Sequence, residues 1–446
     1  MDPLQAIEQA LSLAREHRER HVDVVLSRSE SLGIRVCEGK VERVEQSTDL
    51  GLGLRVVQEG RTGLSFTERL TADTIEKAFL EARANAALLD PTEVVMNETA
   101  PGVPDPEVLE LYNPALESLT AEDLTRFALE MEAEARRADH RVSTVTHSVA
   151  RTGRNTYITA STHGVRYTQR SNSVGAGCGV LLESHGNRKS GSYGWSARVW
   201  DPAQAALVGR EAAQRGGKLL GAKPIPGGKL PIVLDEFTAP ALLSMYLGNF
   251  HAEAVQKGRS RLKGRLGELI ASEDFTLTDD PHRVGAPGSR FLDAEGTPTR
   301  ALNLIENGAL TSFLYHIESA RKENRASTGH AGRGYGGGIG THSHNLVLPT
   351  GNHDLEALCA LPERCLLVTE LEGGSGCNPI SGDISIGVQG FLMENGRSVQ
   401  PVDSVTIAGN FYALLKSIRA RGDRYQPHLS SRFIPALLVD GFTISG

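Results

Sequence analysis

Ser47-Thr48-Asp49-Leu50-Gly51-Leu52-Gly53-Leu54-Arg55-Val56 returns 124 residues later as Ser171-Asn172-Ser173-Val174-Gly175-Ala176-Gly177-Cys178-Gly179-Val180. Each copy sits between a preceding helical pattern and a Gly-rich hairpin, so the first half of the chain reads as an internal duplication of one helix–meander–helix unit. Outward from the first copy, Asp2 and Pro3 open a helix carrying Leu4, Ile7, Leu11 and Ala14 at helical spacing. Strand patterns follow at 22–28, 33–38, 40–46, 51–58 and 62–67, several separated by Gly-containing turns. A second helix covers about 71–87, with Ile75, Ala78, Phe79 and Ala82 on one face. Outward from the second copy, a helix starts near Thr120 with Asp123 three residues on, and another begins at Asp201-Pro202. Five prolines between 91 and 114 predict an extended connector joining the halves.

Pro224-Ile225-Pro226-Gly227-Gly228 marks the end of this region. Beyond it a strand is expected over 230–235, a helix over 238–254 with Pro240 in its first turn, and then mostly strands. Glu306-Asn307-Gly308 and Glu394-Asn395-Gly396 read as tight hairpin turns, because Asn-Gly tolerates the positive φ values that two-residue loops need. A helix is expected from Asn410, and a last strand over 436–444. The sequence therefore predicts an α+β protein of two domains: an N-terminal domain of repeated helix–strand units over 1–222, and a β-rich domain over 228–446.

Composition narrows the function classes. A formal net charge of −7 argues against a general nucleic-acid binder, and 48 glycines beside only 5% aromatics fit a β-rich chain with many turns. The five cysteines form no C-x-x-C pair, which is the usage of a reducing compartment rather than of a disulfide framework or structural zinc site. Met1-Asp2-Pro3 opens an amphipathic helix rather than a leader, and no apolar run approaches a membrane span, so a soluble cytoplasmic protein is expected.

No H-E-x-x-H occurs. His330, His342, His344 and His353 form the richest histidine stretch, and in a strand His342 and His344 would face the same way. Gly373-Gly374-Ser375-Gly376-Cys377 approaches G-x-S-x-G without its last glycine or a following helix, and Cys377 is the alternative nucleophile. Gly175 to Gly179 runs into Val180-Leu181-Leu182, as a crowded strand does and a phosphate loop does not. Lys257, Arg259, Arg261, Lys263 and Arg265 occupy alternate positions, so an extended segment would turn all five charges one way. Such a row can grip an acidic peptide, a phosphate or a partner's carboxylates, or else protects an edge strand from aggregation.

The C-terminal half resembles the TldD/PmbA (TldE) family, the so-called modulators of DNA gyrase, and within it the PmbA/TldE branch. The segments that carry this are Asp293-Ala294-Glu295-Gly296-Thr297-Pro298-Thr299, Ile305-Glu306-Asn307-Gly308-Ala309-Leu310, Ser327-Thr328-Gly329-His330-Ala331-Gly332, the run from Ser381 to Phe391, Glu394-Asn395-Gly396, and Thr406-Ile407-Ala408-Gly409-Asn410. The resemblance implies a barrel-like C-terminal domain. It also implies an intracellular zinc metalloprotease, built from a TldD-type and a TldE-type subunit, acting on unfolded or ribosomally made peptides. TldD-type chains carry H-E-x-x-x-H on the helix after the first strand of this domain, with a Cys near the C-terminus as third zinc ligand. The corresponding positions here are Ser244, Met245 and Asn249, and the stretch 421–435 has no Cys. Ser and Asn are poor replacements for imidazoles at zinc, and Met cannot serve as a general base. His251-Ala252-Glu253 lies nearby but a turn away from the motif.

The resemblance thus implies a subunit without catalytic residues, cofactor or metal of its own, with the zinc in a TldD-type partner, an extended peptide as substrate, and a homodimer as an option for the isolated chain. Membrane and nucleic acid are not expected as partners. Two readings stay open: a self-sufficient hydrolase using His342/His344 or Cys377, and a non-enzymatic peptide-binding scaffold.

Overall fold

The computed structural model of the chain describes residues 1–91, 96–97 and 102–446. In its first half, α1 (Pro3–Glu16), β1 (Val22–Cys37), β2 (Lys40–Gln58), β3 (Arg61–Thr67) and α2 (Ala72–Ala87) are followed by α3 (Ala121–Ala138), β4 (Val142–Ser161), β5 (Arg166–Ser184), β6 (Asn187–Ala197) and α4 (Gln204–Leu219). The two halves share one element order. The helix starts are those the capping residues announce: Asp2 with Gln5, Thr71 with Thr74 and Thr120 with Asp123 each form a reciprocal capping box. Of the connector over 91–114, residues 92–95 and 98–101 lie outside the described residues, and Pro106–Leu109 forms a 3₁₀ turn.

All six strands make one antiparallel sheet in the order β3-β2-β1-β4-β5-β6, with the first strand of each half paired at the centre. The strands are longer and fewer than the sequence pattern predicts. The patterns at 22–28 and 33–38 belong to the single strand β1, and those at 40–46 and 51–58 to β2. Polar Ser27–Ser31 look like an interruption, yet they pair residue by residue with Gly51–Ser47 on one side and Tyr157–Gly153 on the other. The length has a packing cause. Val22, Val24 and Leu26 of β1 lie in the core under α1 and α2, whereas Ile34 and Val36 of the same strand lie in the core under α3 and α4. These residues are all even-numbered, so both helix pairs cover one face of the sheet.

The other face takes the C-terminal domain, whose core gathers apolar residues from Ile225 to Ile444. Its two curled half-barrel sheets have eight and five strands. The larger runs, edge to edge, through Ile418–Arg421, Leu437–Val439, Ile232–Leu234, Arg364–Glu372, Asp383–Glu394, Arg397–Asn410, Thr443–Ser445 and Gly228–Lys229. Both Asn-Gly turns adopt the expected geometry: Asn307 and Asn395 at φ 48, with Gly308 at φ 78 and Gly396 at φ 79. The strand expected over 436–444 is two strands, interrupted at Gly441 with φ 87. The helix from Asn410 lasts only over Phe411–Leu414.

Docking of the domains explains glycines in the recurring stretch. A side chain on Gly51 would lie 2.3 Å from the Tyr335 ring, and one on Gly53 2.1 Å from the Tyr335 carbonyl oxygen. In the second copy, a Cβ on Gly179 would meet the His147 ring at 2.2 Å. Gly175 to Gly179 thus lie within strand β5, crowded at Gly179, and open no helix.

Candidate functional site

The segment aligned with the zinc motif is not one helix. α5 (Thr238–Ser244) ends early, and Met245, Tyr246, Asn249 and His251 donate to carbonyls three residues back, tightening the chain into a 3₁₀ turn over Leu247–Phe250 before α6 (Ala252–Gln256). The expected helix over 238–254 is therefore in three pieces. Buried Tyr246 drives the break. Its ring stacks on Phe411 at 4.8 Å, and its hydroxyl donates to the Asp383 carbonyl at 2.8 Å.

Ser244, Met245 and Asn249 consequently have unlike surroundings. Ser244 is half-buried at the end of α5, and Met245 packs against the domain core. Asn249 is buried and fully engaged. Its amide donates to the carbonyls of Tyr246 at 2.9 Å and Pro379 at 2.8 Å, and its oxygen accepts from the Tyr412 hydroxyl at 2.9 Å. Every polar position of that side chain holds a structural bond, so this donor set does not fit a zinc ion.

Cys377 follows a tight turn, its N–H donating to the Gly374 carbonyl at 3.0 Å. The thiol lies against the Tyr246 hydroxyl; burial first, and then this thiol, push Tyr246 upward. Ser375 is exposed on the same turn.

His342 and His344 do not share a face. The strand there stops at Thr341, so the period-two rule fails; His342 is exposed and His344 buried. His344 accompanies Asp279 and His330 in a polar cluster inside the domain. The Asp279 carboxylate accepts the His344 backbone N–H at 2.8 Å, and the His344 ring contacts the Gly329 carbonyl through Nε2 at 2.8 Å. His330 Nε2 stands 3.3 Å from Asp279 Oδ2 without good alignment, and its Nδ1 is 2.8 Å from the Thr328 hydroxyl. Burial drives His344 down to about 3, and burial with the neighbouring His342 takes His251 to about 4, so both rings are neutral near pH 7. Burial alone would raise Asp279, but the adjacent His330 and His344 rings and the His344 backbone N–H hold the carboxyl below its ordinary value. His353 lies apart, bridging to Gly422. Among the described residues, no group of three or more His, Cys, Asp or Glu side chains is arranged to hold a metal ion.

Sequence reasoning missed the polar residues that join the domains. Arg55 of β2 donates to Asp23 of β1 at 2.5 Å and to Glu295 at 3.2 Å, and Arg333 bonds the other Asp23 oxygen. All four are buried. Glu295 also accepts the Ile317 N–H at 2.8 Å. Burial opposes the charge on Arg55, but Asp23 and Glu295 more than offset it and raise this guanidinium; burial lowers Arg333. Arg55 stood in the recurring stretch, where the second copy has Gly179, and that difference was the available signal. Beside the quartet opens a cleft of about 440 Å³ between the domains, lined among others by Arg55, Thr62, Glu295, His316 and Gly338.

Residues 22–86, 114–220 and 227–446 match the family models described as PmbA/TldA metallopeptidase domain 1, central domain and C-terminal domain. A metalloprotease PmbA homolog of Haemophilus influenzae is 27% identical, the match covering 99% of this chain and 96% of that protein. A solved Thermotoga maritima structure described as a modulator of a DNA gyrase superposes with a TM-score of 0.90 at 27% identity, covering 99% of this chain and 100% of the other. TldE of Thermococcus kodakarensis shares the fold, with a TM-score of 0.87 at 23% identity over 99% of this chain and 100% of that one.

Proposed function

Because this chain belongs to the PmbA/TldD metallopeptidase family, we propose that it is the TldE-type subunit of a heteromeric zinc metalloprotease. In this reading it helps enclose an extended peptide, while a TldD-type partner carrying H-E-x-x-x-H holds the zinc and performs the hydrolysis. The observation that carries the reading is the state of Asn249. Where a catalytic subunit needs an imidazole free to bind metal, this chain has an amide saturated by Tyr246, Pro379 and Tyr412. Ser244 and Met245 supply neither a second imidazole nor a general base. The missing pieces belong to one chemical apparatus, and their joint replacement, with Asn249 and Met245 committed to structural contacts, fits a subunit relieved of catalysis. Main-chain pairing to an exposed strand would suit a peptide of varied sequence.

The test is metal analysis and peptide cleavage by the purified chain, alone and mixed with a TldD-type subunit from the same organism. We expect no stoichiometric zinc and no cleavage from the chain alone, and cleavage from the mixture. Stoichiometric zinc together with cleavage by the lone chain would overturn the proposal.

A further inference from the structure

The alternating basic residues 257–265 do not form the extended strand the sequence suggests; the segment is a loop after α6, bent at Gly258 (φ 69) and Gly264 (φ 77). Protection of a sheet edge therefore does not account for the charges. Their alternation nevertheless survives. Ser260 and Leu262 point inward and are buried, the Ser260 hydroxyl donating to the Asn249 carbonyl at 2.9 Å. Lys257, Arg259, Arg261 and Lys263 are left exposed, and among the described residues none of the four has an ion-pair partner within 4.0 Å. Only Arg265 is paired, with Glu268 at 2.8 Å.

Nearby carboxylates are engaged by other groups, although the charge of Arg261 also reaches Asp383. Glu253 faces His316 at 4.0 Å, and Asp383 accepts from Ser381 at 2.6 Å and Asn410 at 3.1 Å. Four exposed cations without an ion-pair partner among the described residues thus fall within seven residues on a chain whose net charge is −7, beside the segment that replaces the zinc motif. Apolar surface adjoins them: Ile380 is 47% exposed and its carbonyl meets the Tyr412 hydroxyl, which in turn accepts the Arg261 N–H; Leu269 is 53% exposed. Cations mixed with aliphatic surface suit a polypeptide; proteins that bind single-stranded nucleic acid add aromatic stacking platforms, and the loop has none.

We propose that this loop is a docking strip for an acidic stretch of the peptide substrate. The inference rests on the subunit reading above and deepens it by naming the substrate class. An extended peptide presents alternate side chains on one side at about 6.6 Å intervals, so an acidic repeat can offer several carboxylates to these cations together.

The full-length chain is titrated into a fluorescein-labelled Glu-Ala repeat peptide, with a Lys-Ala repeat and a single-stranded oligonucleotide as comparisons, followed by anisotropy. The acidic peptide is expected to bind with marked salt dependence, the basic one not to bind, and K257E/R259E/K263E to weaken binding by about tenfold or more. Because these side chains are exposed and unpaired, the milder K257A/R259A/K263A retains the fold and loses a smaller share of the affinity. Equal binding by the charge-reversed variant overturns the proposal, as does tighter binding of the oligonucleotide through the same residues. If the mixture with a TldD-type subunit cleaves peptides while the acidic peptide fails to bind, only the docking strip falls. If the acidic peptide binds but the mixture is inactive, the subunit reading falls.

Discussion

Replacing Arg55 by Met keeps most of the apolar stem and removes the cation that joins the domains. Asp23 retains Arg333, but Glu295, only 7% exposed, is left with the Ile317 N–H as its donor. Two routes are then open. An unpaired buried carboxylate costs about 3–5 kcal/mol. Protonating it instead, from an unfolded value of 4.5, costs about 4 kcal/mol at pH 7.5 and about 1.4 kcal/mol at pH 5.5, at about 1.36 kcal/mol per pH unit. The cheaper route sets the loss, so the penalty should be about 3–4 kcal/mol at pH 7.5 and fall to about 1–2 kcal/mol at pH 5.5. The sign follows from the raised folded pKa of Glu295 in the variant: the penalty is complete above that value and disappears as pH drops toward the unfolded one. Urea unfolding followed by tryptophan fluorescence is the assay, because both tryptophans, Trp195 and Trp200, lie against Phe127 in the N-terminal half. Adding Glu295→Gln to Arg55→Met should recover part of the loss at pH 7.5 and little at pH 5.5. A penalty below about 1 kcal/mol at pH 7.5, or one equal at both pH values, would refute this account of the interface.

Asn249→Ala should cost about 1–3 kcal/mol in the same unfolding assay, since one buried and two part-buried hydrogen bonds of a buried amide are lost; a near-neutral result would mean that the side chain was not committed to structure. Gly53→Ala should destabilise by about 1–3 kcal/mol through its clash with the Tyr335 carbonyl, whereas Gly33→Ala, whose nearest neighbour would be 3.9 Å away, should be tolerated; equal effects would show that Tyr335 does not press on the sheet. His344 has a folded pKa depressed to about 3 from 6.5, so its stabilising share is complete above pH 6.5 and is lost as pH falls toward 3, amounting to about 2 kcal/mol by pH 5. His344→Gln, which can still donate to the Gly329 carbonyl, should flatten that slope, and an unchanged stability–pH profile would count against a buried neutral ring.

The elements that local chemistry specifies were legible without coordinates. Asp2 as a cap, the helix starts near 71 and 120 and the two Asn-Gly turns depend on chemistry within a few residues, and they sit where expected. Strand lengths were not legible, because the continuity of β1 through Ser27–Ser31 depends on pairing with β2 and β4 rather than on its own hydrophobicity. The break after α5 escaped for a similar reason. Nothing between Thr238 and Ala254 forbids a helix, and only the anchoring of Tyr246 by Phe411 and Asp383 rewards the bend. At the candidate site the residue types at 244, 245 and 249 were readable as departures from a zinc motif, but the engagement of Asn249 was not.

By itself the sequence determined the repeated helix–meander order, the α+β class and the chemical poverty of the motif positions, since recurring patterns, turn residues and side-chain types need no partner to be recognised. Only the tertiary structure decided that both helix pairs cover one face of a single sheet and that Arg55, Asp23, Glu295 and Arg333 meet across the other. It likewise decided that His342 and His344 part company, and that the basic row lies in a loop, with Arg265 paired to Glu268, instead of a strand. Each of these depends on contacts between residues far apart in the chain, and burial and charge pairing at such contacts exist only once the domains have docked.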